Sequence, residues 1–137
     1  MIELWTGYEL EFLLKLSLAL LFGYAIGLER ESRGRVAGVS THCLVIGGAM
    51  LFTFLSFLID PNSPARVAAQ VVTGVGFLCG GIILKVGGHK VSNLTTAASL
   101  WFAGAIGMAL GFGWYVIAFI ATVYSFFIPR VPYAHGK

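Results

Sequence analysis

The sequence predicts an all-α membrane protein: a compact bundle of about five transmembrane helices. Three observations carry that reading. Hydrophobic residues make up 58% of the 137 and charged residues only 11%, where soluble domains carry roughly a quarter charged. Mean hydropathy is +0.87, which implies more apolar surface than so small a chain can hide from water. The apolar residues also run continuously rather than alternating. That selects helices over a barrel as the element that satisfies every backbone group in lipid.

Taken in order, the first apolar run extends from about Glu11 to Leu28, the second from Thr41 to Ile59 and the third from Ala65 to Leu84. Leu94 to Leu110 and Trp114 to Ile128 form a pair separated by Gly111, Phe112 and Gly113. Spanning the hydrocarbon core takes roughly 20 residues at about 1.5 Å each, so the last two are short. Pro61 and Pro64 stop the second run, because proline cannot continue a helix. The leading segment carries Glu3, Glu9 and Glu11 and no early Lys or Arg, the wrong sign for a cleaved signal. Residues 1–128 are therefore expected to form one transmembrane domain, with 129–137 a short cytoplasmic tail.

The basic residues set an expected orientation. Arg30, Arg33, Arg35, Lys85, Lys90, Arg130 and Lys137 fall on one side of a five-span arrangement, and only Lys15 and Arg66 on the other. The positive-inside rule then puts the amino terminus outside and the carboxyl terminus in the cytoplasm. Because the cations sit between apolar runs and not along a basic stripe, nucleic acid is not expected as a partner. Cys43 and Cys79 lie inside apolar runs without metal-ligand spacing. His42, His89 and His135 converge with no hydroxyl and carboxylate, so no enzyme is expected.

Small residues recur four apart at Gly23 and Gly27, at Gly76 and Gly80, and at Ala103, Gly107 and Gly111. In lipid such ridges let helix backbones approach closely, within one bundle or between two copies. A second repetition concerns helix entrances. "RVAGVSTHCLVIGGAM" from Arg35 and "KVSNLTTAASLWFAGA" from Lys90 share a basic residue, Val, small residues, an aliphatic and Ser/Thr-Thr. Ser40 or Thr41, and Asn93 or Thr95, are residue types that cap helices. With Arg33, Arg35, Lys85 and Lys90 nearby they suit an anion or a lipid headgroup. If the match is a true repeat, helix hairpins one–two and three–four are parallel copies.

Glu29 stands at the end of the first helix, where a carboxylate opposes the macrodipole unless Arg30 or Arg33 compensates. Glu29, Glu31 and Asp60 are the acids near the bundle that could serve a metal, Asp60 at the opposite face from the other two, and Glu29 is the one put forward as a ligand. On the third helix Arg66, Gln70, Thr73, Gly74 and Phe77 share a face. Either an interhelical hydrogen bond or a polar pocket wall accounts for Gln70, with Asp60 expected close to Arg66.

The blocks "GLERE", "AGVSTHCLVIGGAMLF", "RVAAQVVTGVGFLCGGII" and "LTTAASLW" resemble, in order from about Gly23 to Gly111, the membrane domain of the MgtC/SapB family of bacterial inner-membrane proteins. The resemblance implies a multi-pass inner-membrane protein linked to growth under magnesium limitation and, in pathogens, to survival inside host cells. Residues transferable by motif are Glu29, Arg30, Arg66, Gln70, Thr73, Asn93, Thr95, Thr96 and Trp101, with roles unassigned. The family has Arg where Ser40 stands, so that guanidinium is not carried over. Many members continue into a cytoplasmic regulatory domain, whose functions are not carried over either.

The expected function is regulatory or stress-adaptive, exerted by binding another membrane component in the bilayer and without a cofactor. The alternative is a transporter or channel for Mg2+ or another ion, as a homo-oligomer. Mg2+ takes octahedral oxygen ligands and keeps waters, so one or two carboxylates would serve; against it, no acidic residue lies at midspan.

Overall fold

In the computed structural model, which describes residues 5–84 and 92–131, five helices follow the five apolar runs: α1 Glu9–Ser32, α2 Val39–Ile59, α3 Ala65–Leu84, α4 Leu94–Gly111 and α5 Tyr115–Phe127. A 3-10 turn, Ile128–Arg130, extends α5, and there is no strand among the described residues. The first four helices are long and apolar enough to cross a membrane. At 13 residues α5 rises about 20 Å, yet it still crosses the bundle. Its start follows Gly111, whose carbonyl meets Lys15 near the beginning of α1, and Pro129 at its end accepts a hydrogen bond from Arg33 at the end of α1.

Each connection has a local cause. Gly34 ends the first helix at φ +65°, the left-handed conformation that glycine adopts without steric cost. The amides of Arg33 and Gly34 turn back to the carbonyls of Arg30 and Glu31. Between α2 and α3 the Asp60 carboxylate accepts from the Ser63 amide, and the Ser56 hydroxyl donates to the Pro64 carbonyl at 2.6 Å. Gly113, at φ +80°, closes the three-residue turn between α4 and α5.

α2 and α4 stand at the centre, with α1 packed mainly on α2, α3 on both, and α5 on α4 and α1. One core cluster joins α1, α2, α4 and α5 around Ile26, Ile46, Met50, Ile106 and Leu110. A second joins α2, α3 and α4 around Val71, Val75, Cys79, Ala97 and Leu100. Glycines permit the close approaches. A Cβ on Gly23 would stand 2.6 Å from the Cys43 Cα, and one on Gly27 would stand 2.7 Å from the Val39 amide nitrogen. Gly107 and Gly111 lie against α2 in the same way, whereas Gly76 and Gly80 meet nothing within 4 Å. The same spacing thus serves an internal seam in two places and an open face in a third.

The two similar entrances land in equivalent places. Gly38 precedes α2 and Asn93 precedes α4 as their N-caps, and these positions align in the repeated pattern. The expectation of side-chain capping is corrected here: neither cap position makes a side-chain cap hydrogen bond. For α2 the Glu31 carboxylate accepts the Val39 amide at 2.9 Å instead, a negative charge at the positive end of the helix. Asn93 sits at φ +61°, a left-handed conformation that Asn tolerates better than most residues.

At the opposite end of the bundle the Lys15 ammonium is buried. It donates to the Gly111 carbonyl at 2.8 Å, pairs with Glu11 at 2.7 Å and lies 4.5 Å from the Phe54 ring centroid. A cation on the last carbonyl of α4 is favoured by the helix dipole. Lys15→Met is expected to cost about 1.5–3 kcal/mol, the usual worth of a hydrogen bond to a charged group, seen as a lower melting temperature in detergent.

Candidate functional site

The end of α1 delivers its charges inward. Glu29 is 5% exposed and Arg30 0%, although both close a lipid-facing helix. Glu29 Oε1 meets Arg33 Nε at 2.5 Å, one helical turn on, so Arg33 is the compensating cation that the helix end requires. Arg30 has no such arrangement. Its three guanidinium nitrogens, like both carboxylate oxygens of Glu29, are buried without a hydrogen-bond partner among the described residues.

His42, one turn into α2, is completely buried and belongs to the same cluster. Its Nδ1 lies 2.9 Å from the Gly38 carbonyl, which can only accept, so Nδ1 carries the proton. In the neutral ring Nε2 then accepts from the Ser99 hydroxyl at 2.9 Å. This bond ties the starts of α2 and α4 together across 57 positions of sequence. Arg30 lies within Coulombic range of both His42 and Glu29.

Among the described residues, two cavities of the bundle bear on the site. The larger, about 740 Å³, is a groove between α2 and α3 lined by Ser40, Thr41, Leu44, Gly48, Gln70 and Gly74, among others. It runs along α2 from Ser40 to Phe52, which is about 18 Å of helix. The smaller, about 310 Å³, lies between α4 and α5 and is lined by Thr95, Ser99, Phe102, Tyr124, Ser125 and Pro129 among others.

The residues singled out from sequence therefore separate into several places. Glu29, Arg30 and Thr96 are internal, and Thr95 lines the α4–α5 cavity. Gln70 lines the α2–α3 groove, while Arg66 and Thr73 lie exposed on the same helix. Arg66 Nη2 is 3.7 Å from the Asp60 carboxylate, as the sequence led us to expect. Trp101 is exposed on α4. Of the anion candidates, Ser40 and Thr41 belong to the groove, Arg33 to Glu29, and Arg35 is exposed; Lys85 and Lys90 lie outside the described residues. Around Glu29, the metal candidate, no group of three His, Cys, Asp or Glu side chains converges among the described residues. Sequence reasoning missed the His42–Ser99 pair and the burial of Lys15. A cation written mid-helix was the one signal for Lys15, and the His42 pairing left none.

A multi-pass helical membrane bundle with charged groups drawn into one end is thus the class of protein that fold and site define. The chain belongs to the MgtC family, whose model matches residues 16–132. It is 44% identical over 112 residues to protein MgtC of Salmonella typhimurium, covering 82% of this chain and 48% of that protein. Protein MgtC of Brucella abortus is 48% identical over 107 residues, 77% of this chain and 44% of that protein. An uncharacterized protein of Synechocystis is 44% identical over 114 residues, 82% and 48% of the two chains. The chain spans about half the length of the curated relatives it matches. No solved structure matches it significantly.

Proposed function

We propose that this protein works in the bacterial inner membrane, with its amino terminus outside and its Arg-rich end in the cytoplasm. There it serves adaptation to magnesium limitation by binding another membrane component, without catalysis. The orientation rests on the distribution of Lys and Arg, and the magnesium link on the family resemblance. The observation that carries the binding role is the α2–α3 groove. Gly48 and Gly74 leave it open, with nothing within 4 Å of a Cβ at either position. Its wall bears the exposed amide of Gln70. Lipid tails cannot satisfy an amide, whereas a partner helix can, through the small hydrogen-bond gain that membrane helices exploit.

Filling the groove tests this reading. Gly48→Leu and Gly74→Leu are expected to keep the melting temperature of the parent protein yet fail to support growth of a deletion strain at limiting magnesium. Full support of growth by both variants would remove the groove from the function. The competing ion-transport reading is checked in liposomes holding a Mg2+-sensitive dye. Flux that Glu29→Gln abolishes would replace the binding role.

A further inference from the structure

We propose that a second copy of this chain is the membrane component that α3 meets, the two copies pairing through the outward face of α3 about a two-fold axis along the membrane normal. This rests on the binding role proposed above and names its partner.

α3 buries a single row, Ala68, Val71, Val75 and Cys79, against α2 and α4. At 3.6 residues per turn the opposite side carries Arg66, Gln70, Thr73 and Phe77, and all four are exposed. The helix therefore turns its polar side chains away from the bundle, toward lipid. Gln70 lies about 8 Å and Thr73 about 12 Å in from Ala65 along the helix, depths at which an unsatisfied amide or hydroxyl is costly. Among the described residues neither side chain has a hydrogen-bond partner, whereas the hydroxyls of Ser17 and Thr122 return to the carbonyl one turn back on their own helices.

Arg66, Gln70, Thr73, Phe77 and Gly80 follow one another at intervals of four and three, the seam of a left-handed helix pair. Gly80 sits on this seam with nothing within 4 Å of a Cβ, so the bundle leaves room there for a second backbone. A parallel pair about a two-fold axis sets each seam residue against its own image at the same depth, so every group must complement itself. The polar groups of this seam meet that condition. An amide is donor and acceptor at once, and so is a hydroxyl, so two Gln70 side chains exchange bonds reciprocally and two Thr73 hydroxyls bond each other. Phe77, 84% exposed, meets a second ring. Charge is complementary at the outer end. The Arg66 side chain is 78% exposed and reaches Asp60 only at 3.7 Å, too long for a hydrogen bond. Across the axis each Arg66 gains the Asp60 of the other copy, so the two guanidinium groups do not face each other unshielded. A partner of different sequence would have to bring an amide, a hydroxyl and an ion pair at these same depths; a second copy brings them by symmetry.

The test uses full-length protein in vesicles of phosphatidylethanolamine and phosphatidylglycerol. Thr73→Cys and Phe77→Cys are expected to form a disulfide dimer under copper phenanthroline, read on a non-reducing gel, while Ile117→Cys, also exposed on α5, is not. The parent, whose Cys43 and Cys79 thiols point at carbonyls of α1 and α4, is the blank. Sedimentation equilibrium in density-matched detergent is expected to show a monomer–dimer equilibrium that Gln70→Leu weakens about tenfold, the scale of interhelical hydrogen bonds in membranes. Cross-linking at Ile117 as strong as at Thr73, a monomeric parent, or undiminished association in Gln70→Leu each overturns the proposal. In native membranes, capture of a different protein by Thr73→Cys in place of a second copy overturns it too. Failure here stays distinct from failure of the groove. A monomeric parent whose Gly48→Leu variant still fails to support growth leaves the groove to another component and removes only the second copy. Dimers through α3 with full growth support from Gly48→Leu keep the pairing and remove the groove.

Discussion

Gly107→Val is expected to abolish the folded bundle, read as loss of a monodisperse peak and of a cooperative melt in detergent. A Cβ at position 107 would run into the Ile46 carbonyl oxygen and would stand 2.7 Å from the Ala49 Cβ and 3.0 Å from the Met50 amide nitrogen. Two of those three atoms are backbone, so no rotamer change relieves the contact. α2 and α4 would have to part along the seam that joins both core clusters. Overpacking a core that can adjust costs about 1–3 kcal/mol. Here the adjustment is separation of the central pair, in a domain whose whole stability is on the order of 5–15 kcal/mol. Gly76→Val is the control. It meets nothing within 4 Å and should change stability by no more than about 0.5 kcal/mol, as surface substitutions do. Equal melts for the two variants would mean that α2 and α4 do not form the central seam.

That contrast shows what was legible in the sequence and what was not. Helix positions follow from hydropathy, a local property. The third run, Ala65 to Leu84, coincides with α3, and the second is short of α2 by two residues because Val39 and Ser40 lie on the polar margin. The spacing of Gly76 and Gly80 is that of Gly23 and Gly27, but only the second pair sits against a neighbouring backbone. Which face of a helix turns inward depends on partners elsewhere in the chain, and spacing alone carries no such information. Likewise the repeated entrance marks two real helix starts at Gly38 and Asn93. Its Ser and Thr residues suggested caps, yet a glutamate eight residues upstream of Val39 takes that role. The site was half legible: Glu29 demanded a cation from electrostatics alone, and Arg33 supplies it. The pairing of His42 with Ser99 needs α2 beside α4, a tertiary fact.

Arg30→Met is expected to leave the bundle as stable as the parent or more so. Burying an ion costs several kcal/mol even after relaxation, and replacing buried ionic groups by well-packed apolar side chains is often neutral or stabilising by about 1–4 kcal/mol. The damaging case is removal of a charge whose partner is then stranded. Arg30 leaves no hydrogen-bond partner behind, since its nitrogens have none among the described residues, and Glu29, within its Coulombic range, keeps its ion pair with Arg33. Methionine fills irregular apolar space and keeps much of the volume. Lys15→Met supplies the opposite sign from the same chemistry. Lys15 is as deeply buried, but its loss strands the Gly111 carbonyl and removes the cation paired with the half-exposed Glu11. Parallel melts should therefore fall for Lys15→Met and hold or rise for Arg30→Met. A buried cation whose removal stabilises the fold is retained for something other than the fold. If Arg30→Met instead melts as low as Lys15→Met, Arg30 is a strut of the bundle.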